Sequence, residues 1–106
     1  MKTEPAAKPV DAQSLLEVDR IIHEPARLAI VAVLAACESA DFVYLRNITG
    51  MTQGNLSVHL TKLEDAGYVA VEKRFVGKKP NTLCRLTPKG TAAFKQYRAQ
   101  MARLVK

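Results

Sequence analysis

At 106 residues the chain is long enough for one domain with a modest core. Its 48% hydrophobic content excludes a wholly disordered protein, and with only 6% aromatic residues the core must be built mainly from Leu, Val, Ile and Ala. The formal charge of +6 is split unevenly: Met1 to Gly50 holds five Lys/Arg against seven Asp/Glu, and Met51 to Lys106 holds eleven against three. A basic second half suits a polyanionic partner, most commonly nucleic acid, with ordinary solubility charge as the plainer alternative.

Met1 to Val10 carries two prolines and no hydrophobic periodicity, so it reads as a mobile lead-in. Leu15, Leu16, Val18, Ile21 and Ile22 follow, and a short helix is expected over about Ser14 to Asp19. Pro25 fits the first turn of the next helix, where its missing N–H costs nothing. That helix should reach about Cys37, since Leu28, Val31, Leu34 and Ala35 keep helical spacing and Ile30 and Val33 widen the buried stripe. The apolar run from Ile30 to Cys37 is far too short to cross a bilayer. Phe42, Leu45 and Ile48 then recur every three residues, which predicts a helix over about Val43 to Thr49 with Asp41 or Ser39 as its cap and Gly50 as its terminator.

Thr52 is the expected N-cap of the helix Thr52 to Ala66. Two short helices joined this tightly, the second with an exposed polar face, form the helix-turn-helix pattern. Leu56, Leu60 and Leu63 make one inward ridge, continued by Ala66. Gly54, Asn55, Val58, Thr61, Lys62 and Asp65 lie broadly opposite, flanked by Ser57, with Gln53 in the first turn. Gln and Asn can bond bidentately to adenine in the major groove, and Ser and Thr hydroxyls reach bases or phosphates. Gln53, Asn55, Ser57 and Thr61 are therefore candidate readers, against the alternative of a solvated polar face. Gly54 reads either as tolerated fraying or as a site of close approach to DNA. His59 reads either as a half-buried residue bonded to backbone or as a phosphate contact, and Lys62 as a backbone contact. Asp65 marks the edge of the footprint or pairs with Lys62.

Beyond Gly67 the period changes to two. Val69, Val71, Lys73 and Phe75 alternate with Ala70, Glu72 and Arg74, which predicts a strand. Val76 to Asn81 reads as a loop with Gly77, Pro80 and Asn81 as breakers, and Thr82 to Leu86 as a second strand. The pair should form a hairpin with a basic tip carrying Lys73, Arg74, Lys78 and Lys79, able to track the DNA backbone or enter the minor groove. Thr87-Pro88 opens a last helix to about Leu104, with Ala93, Phe94, Tyr97, Met101 and Leu104 as its apolar side.

The segment MTQGNLSVHLTKLEDAGYVAVEKRFVGKKPNTLCRLTPKG resembles the winged-helix DNA-binding domains of small bacterial and archaeal transcriptional regulators related to MarR and ArsR. The resemblance covers about Asp19 to Met101 and includes HEPARLAIVAVL as the first core helix. It implies a mainly α fold with a small β-hairpin, a winged helix-turn-helix. Residues 1–12 would be a flexible segment and 13–106 the DNA-binding domain with a C-terminal dimerisation helix. It also implies Thr52, Gln53, Asn55 and Ser57 in the major groove of double-stranded DNA, His59 and Lys62 at its edge, and Lys78 and Lys79 on the wing. A homodimer would pair through Leu15, Leu16, Ile21, Phe94, Tyr97, Met101 and Leu104, the alternative being that the last helix packs within its own chain.

The sequence contains no phosphate-loop, dinucleotide or nucleophile motif, so an enzyme is not expected. It also lacks the Cys-x-Cys pair of metal-sensing relatives, and no metal site or cofactor is expected. Cys37 and Cys84 are expected as buried free thiols of a cytoplasmic protein without an apolar leader. A small-molecule effector has no direct support. The rival reading is a winged-helix module that docks on protein without specific DNA binding.

Overall fold

The computed structural model describes residues 10–104, so the expected lead-in falls almost entirely outside the described residues. The element order is α1 (Ala12–Leu16), α2 (Pro25–Ala35), β1 (Ala40–Asp41), α3 (Phe42–Thr49), α4 (Gln53–Asp65), β2 (Val69–Val76), β3 (Lys79–Leu86) and α5 (Pro88–Ala102). The three strands form an antiparallel sheet in the order β1-β3-β2. This is a mainly α-helical winged helix-turn-helix.

Local signals set most boundaries. Glu24, Asp41, Thr52 and Thr87 each cap a helix by accepting a backbone N–H three residues on. Pro25 and Pro88 occupy the first turns of α2 and α5. Gly50 stops α3 at φ 72°, a left-handed conformation that a side chain would strain, and its N–H closes the helix on the Arg46 carbonyl.

The main core joins the two periodicities. Ile30, Val31 and Leu34 of α2, Leu45 of α3, and Leu56, Leu60 and Leu63 of α4 close over Ala40, Val69 and Cys84 of the sheet. A second, smaller cluster of Val18, Ile22 and Tyr97 ties the N-terminal segment to α5. Tyr97 is only 5% exposed and takes a 2.8 Å hydrogen bond from or to His23 Nδ1, so this part of the α5 stripe is covered by the chain itself.

Several expectations need correction. The first helix begins two residues earlier than expected and is over by Leu16. The third helix's stripe does not hold throughout, because Leu45 is buried and Phe42 half-buried while Ile48 is exposed. Residues expected in a loop are mostly strand, since Val76 pairs with Lys79, Phe75 with Pro80 and Arg74 with Asn81, leaving only Gly77 and Lys78 at the turn. Cys84 is buried and Cys37 only partly so, and both thiols are free. Burial pushes the Cys84 thiol up to about 11, so it stays protonated at neutral pH.

Candidate nucleic-acid interface

Helix α4 is anchored on one side and open on the other. The leucine ridge fixes its inner side with Leu56 and Leu63 fully buried. Its N-terminus is held by Thr52, whose Oγ1 accepts the Asn55 N–H at 3.2 Å. The turn before it is braced as well. Thr49 Oγ1 donates to the Leu45 carbonyl at 2.6 Å and accepts the Met51 N–H at 3.4 Å.

The edge of α4 nearest α2 has a further tether. Arg27 Nη1 donates to His59 Nδ1 at 3.2 Å, and Arg27 Nε donates to the Ile21 carbonyl at 2.6 Å. Because a guanidinium only donates, this contact takes His59 Nδ1 as its acceptor. Glu24 Oε1 stands 4.0 Å from the same nitrogen. The backbone N–H of Arg27 holds the Glu24 carboxyl below its usual range, with the nearby Arg27 guanidinium adding to the effect. His59 is thus half-buried as one reading had it, but its partner is a side chain rather than backbone. Arg27 is a positioning residue that periodicity could not reveal, because its contact lies 32 residues away along the chain.

The outer side of α4 is free. Thr52, Gln53, Asn55, Ser57, Thr61 and Lys62 are all exposed. Among the described residues, the side chains of Gln53, Asn55 and Ser57 make no hydrogen bond within the chain, whereas Thr61 Oγ1 donates back to the Ser57 carbonyl at 2.9 Å. At roughly 100° per residue, Gly54 and Val58 lie at the outermost line of the helix, one turn apart. Val58 is exposed there, and a β-carbon built on Gly54 would meet nothing within 4 Å. Asp65 makes no ion pair with Lys62 among the described residues.

The hairpin stands beside this surface. A groove runs between α4 and the ribbon, with Gln53, Ser57 and Thr61 on one wall and Val71, Lys73 and Thr82 on the other. Lys73, Arg74, Lys78 and Lys79 are exposed. Arg74 Nε donates to Asn81 Oδ1 at 2.9 Å, a contact across the ribbon between paired positions, and Glu72 is drawn to Arg85 at 3.9 Å. Every residue singled out from the sequence as a DNA contact therefore lies on α4, at its N-cap or on the hairpin, with His59 alone turned partly inward.

The residues expected at a subunit interface divide. Tyr97 is buried and Phe94 and Met101 pack against the chain's own clusters, whereas Leu16 is 75% exposed and Leu15 and Leu104 are half-buried. A separate apolar recess of about 660 Å³ lies between the end of α2 and α5, lined by Leu34, Cys37, Leu86, Phe94 and Arg98 among others. Among the described residues, no group of His, Cys, Asp and Glu is placed to hold a metal ion, and no helix is long and apolar enough to cross a membrane.

Comparison with known proteins converges on one fold. Residues 26–105 match the family model described as a winged helix DNA-binding domain. An uncharacterized protein of Methanocaldococcus jannaschii is 36% identical over 87 residues, covering 82% of this chain and 95% of that one. Among solved structures, a transcriptional regulator homologue from Pyrococcus horikoshii OT3 superposes with a TM-score of 0.79 at 27% identity, covering 85% of this chain and 91% of the other. A MarR-family transcriptional regulator from Silicibacter pomeroyi, at 24% identity and a TM-score of 0.66 over 86% of this chain and 60% of that one, shares the fold.

Proposed function

The chain belongs to the winged-helix DNA-binding family, a family of regulators related to MarR and ArsR rather than of enzymes, and from that premise we propose that it is a sequence-specific, double-stranded-DNA-binding transcriptional regulator. Helix α4 enters the major groove and the β2–β3 hairpin rests on the backbone or in the minor groove. The observation that carries this reading is the two-sidedness of α4. Its leucine ridge is sealed in the core, while Gln53, Asn55 and Ser57 stand exposed beside a basic ribbon, with no side-chain hydrogen bond among the described residues.

Each contact has a chemical reason. Gln53 and Asn55 offer the amide pair that matches adenine N6 and N7, and Val58 offers methyl groups to a thymine. Thr52, Ser57 and Thr61 supply hydroxyls to bases or phosphates, and His59 takes the groove edge. Lys62, Lys73, Arg74, Lys78 and Lys79 supply salt-dependent affinity for phosphates. The protein acts as a homodimer through the α1–α5 end, where Leu16 is exposed next to half-buried Leu15 and Leu104. Ile21, Phe94, Tyr97 and Met101 support that end from within the chain. The reading helix of a two-fold dimer recurs on DNA about one helical turn, roughly 34–36 Å, away, so the preferred site is near-palindromic.

The test is a randomised duplex library titrated with the full chain across a range of salt concentrations. A near-palindromic consensus bound far more tightly than bulk duplex supports the reading. Affinity equal for all duplexes, or none, refutes it and favours a protein-docking role, for which the exposed Val43, Tyr44 and Ile48 of α3 offer the apolar surface that α4 lacks.

A further inference from the structure

The β2–β3 ribbon ends in an apolar tip that the fold does not use. Phe75 is 72% exposed and Val76 57% exposed, and Pro80, also exposed, pairs with Phe75 across the ribbon. Strand parity explains how an aromatic side chain came to stand there. Residues 69, 71, 73 and 75 point to one face of β2, together with their partners Leu86, Cys84, Thr82 and Pro80. At the root of the ribbon this is the core face, with Val69 and Cys84 buried. Two residues further out it borders the α4 groove through Lys73 and Thr82. At Phe75 the helices have ended, and among the described residues nothing covers it. Beyond the polar Lys73–Thr82 pair the face turns apolar again, past the body of the protein.

A single exposed apolar side chain is ordinary. Here Phe75 and Pro80 share one face of the tip, with exposed Val76 on the other face, and the surrounding chemistry is selective. Residues 73 to 81 contain Lys73, Arg74, Lys78 and Lys79 and no acid. The nearest acid in β2, Glu72, lies on the opposite face and is drawn to Arg85. Gly77, at φ 63°, allows the two-residue turn that keeps the end narrow. An occupant must therefore be strongly anionic and must accept an apolar side chain between its charges. A duplex minor groove meets both conditions, with two rows of phosphates bounding sugar walls and stacked base edges. At roughly 6 Å wide, however, the groove is too narrow for a whole ribbon with its side chains. A tip that enters must do so by a side chain, or by widening the groove.

We propose that the Phe75–Pro80 tip is an apolar wedge that enters the minor groove and opens one base step, with Lys78 and Lys79 on the flanking phosphates. The proposal rests on the DNA-binding reading above and adds a contact class, a DNA distortion and a source of specificity to it. Apolar wedges of this kind kink the duplex toward the major groove. Kinking is easiest at pyrimidine–purine steps, so sequence selectivity arises at a position where no base edge is hydrogen-bonded.

The experiment uses the full chain with its selected duplex, end-labelled for resonance energy transfer, and compares the native protein with Phe75→Ala, Phe75→Leu and the double variant Lys78→Ala/Lys79→Ala. The Phe75→Ala variant is expected to melt like the native protein, because the side chain lies outside the core. It should bind about tenfold or more weakly, the size expected when an aromatic group loses burial, with an unchanged salt slope and a reduced bend. Phe75→Leu should retain most of the affinity and bend. Replacing a TA or CA step under the wing by AA should weaken the native protein and leave Phe75→Ala indifferent. Native affinity and bend in Phe75→Ala, alongside a lowered salt slope in the lysine variant, would overturn the wedge while leaving the DNA-binding reading standing. Failure of the native chain to prefer any duplex removes both, and loss of a protein partner instead of DNA in Phe75→Ala overturns the wedge in favour of docking.

Discussion

Replacing Gly54 by alanine separates the fold from the function. Gly54 is the second residue of α4, exposed, on the outermost line of the helix, and an added β-carbon would contact nothing within 4 Å. The folded chain thus accommodates alanine without strain. Glycine costs about 1 kcal/mol against alanine in a helix interior and less in the first turn, so a gain of about 0.5 kcal/mol is expected. For a domain of this size that raises Tm by roughly 2–4 °C. On DNA the sign reverses. If the α4 backbone approaches the duplex at Gly54, the new methyl group lifts the helix away and strains neighbouring contacts by Gln53 and Ser57. A loss of about tenfold in affinity, or ~1.4 kcal/mol, is expected. Thermal melting by circular dichroism and fluorescence anisotropy on one duplex at one salt concentration measure both effects. A variant that is more stable and binds DNA as well as the native chain would show that Gly54 is merely tolerated. A variant that is less stable would refute the open space assigned to the position.

The remaining predictions concern charge, readout, pH and packing. Replacing Lys78 and Lys79 by alanine should weaken binding to all duplexes and lower the slope of log K against log salt by about 1.8, two phosphate contacts' worth, in a salt titration. Replacing Gln53 or Asn55 by alanine should cost ~1–3 kcal/mol of discrimination at one base pair with little effect on nonspecific affinity, as read by competition between cognate and single-substituted duplexes. Glu24 has a folded-state pKa below that of the unfolded chain, so its contribution is present above the unfolded value and lost as pH falls through the folded one. Urea denaturation from pH 6 down to pH 3 should therefore show a smaller loss of stability in Glu24→Gln than in the native chain. A β-carbon on Gly90 would run into the Tyr68 carbonyl group, its carbon only 2.9 Å away, and backbone cannot step aside cheaply. Gly90→Ala should cost about 1–3 kcal/mol in the same assay despite improving helix propensity.

What the sequence disclosed was local, and what it concealed was long-range. The leucine ridge of α4, the Thr52 and Thr87 caps and the Gly50 stop depend on neighbours within four residues, and the corresponding boundaries were legible to within a residue or two. The two-residue strand Ala40–Asp41 has no pattern of its own and exists because Cys84 and Leu83 come to lie beside it. Pro80 and Asn81 signalled a loop but lie in β3. There the strand has a partner only on the β2 side, because β1 pairs no further than Leu83, and proline is tolerated where no neighbour requires its N–H. For the site, residue type and parity marked the exposed polar face of α4 and the basic ribbon. They did not show that Arg27 grips His59, or that Phe75 stands exposed at the ribbon's end, beyond the core.

The orientation of α4 relative to the wing is set at Tyr68. Its N–H donates to the Leu63 carbonyl at the end of α4 (2.9 Å), and its carbonyl accepts the Thr87 N–H at the entry to α5 (3.0 Å). Thr87 Oγ1 donates to the Gly67 carbonyl at 2.6 Å and also accepts the Gly90 N–H. The Tyr68 phenol donates to Asp19 in the segment after α1, and burial together with that carboxylate pushes its pKa up to about 12, so it remains a donor throughout the physiological range. The close packing of Gly90 on the Tyr68 backbone leaves no slack between the root of the wing and α5. The N-terminal segment and α5, which carry the proposed subunit contacts, are thus joined through one residue to both α4 and the ribbon. In the proposed dimer, fixing the α1–α5 end would therefore fix the spacing of the two α4 helices, because hydrogen bonds and van der Waals contact bind this junction together.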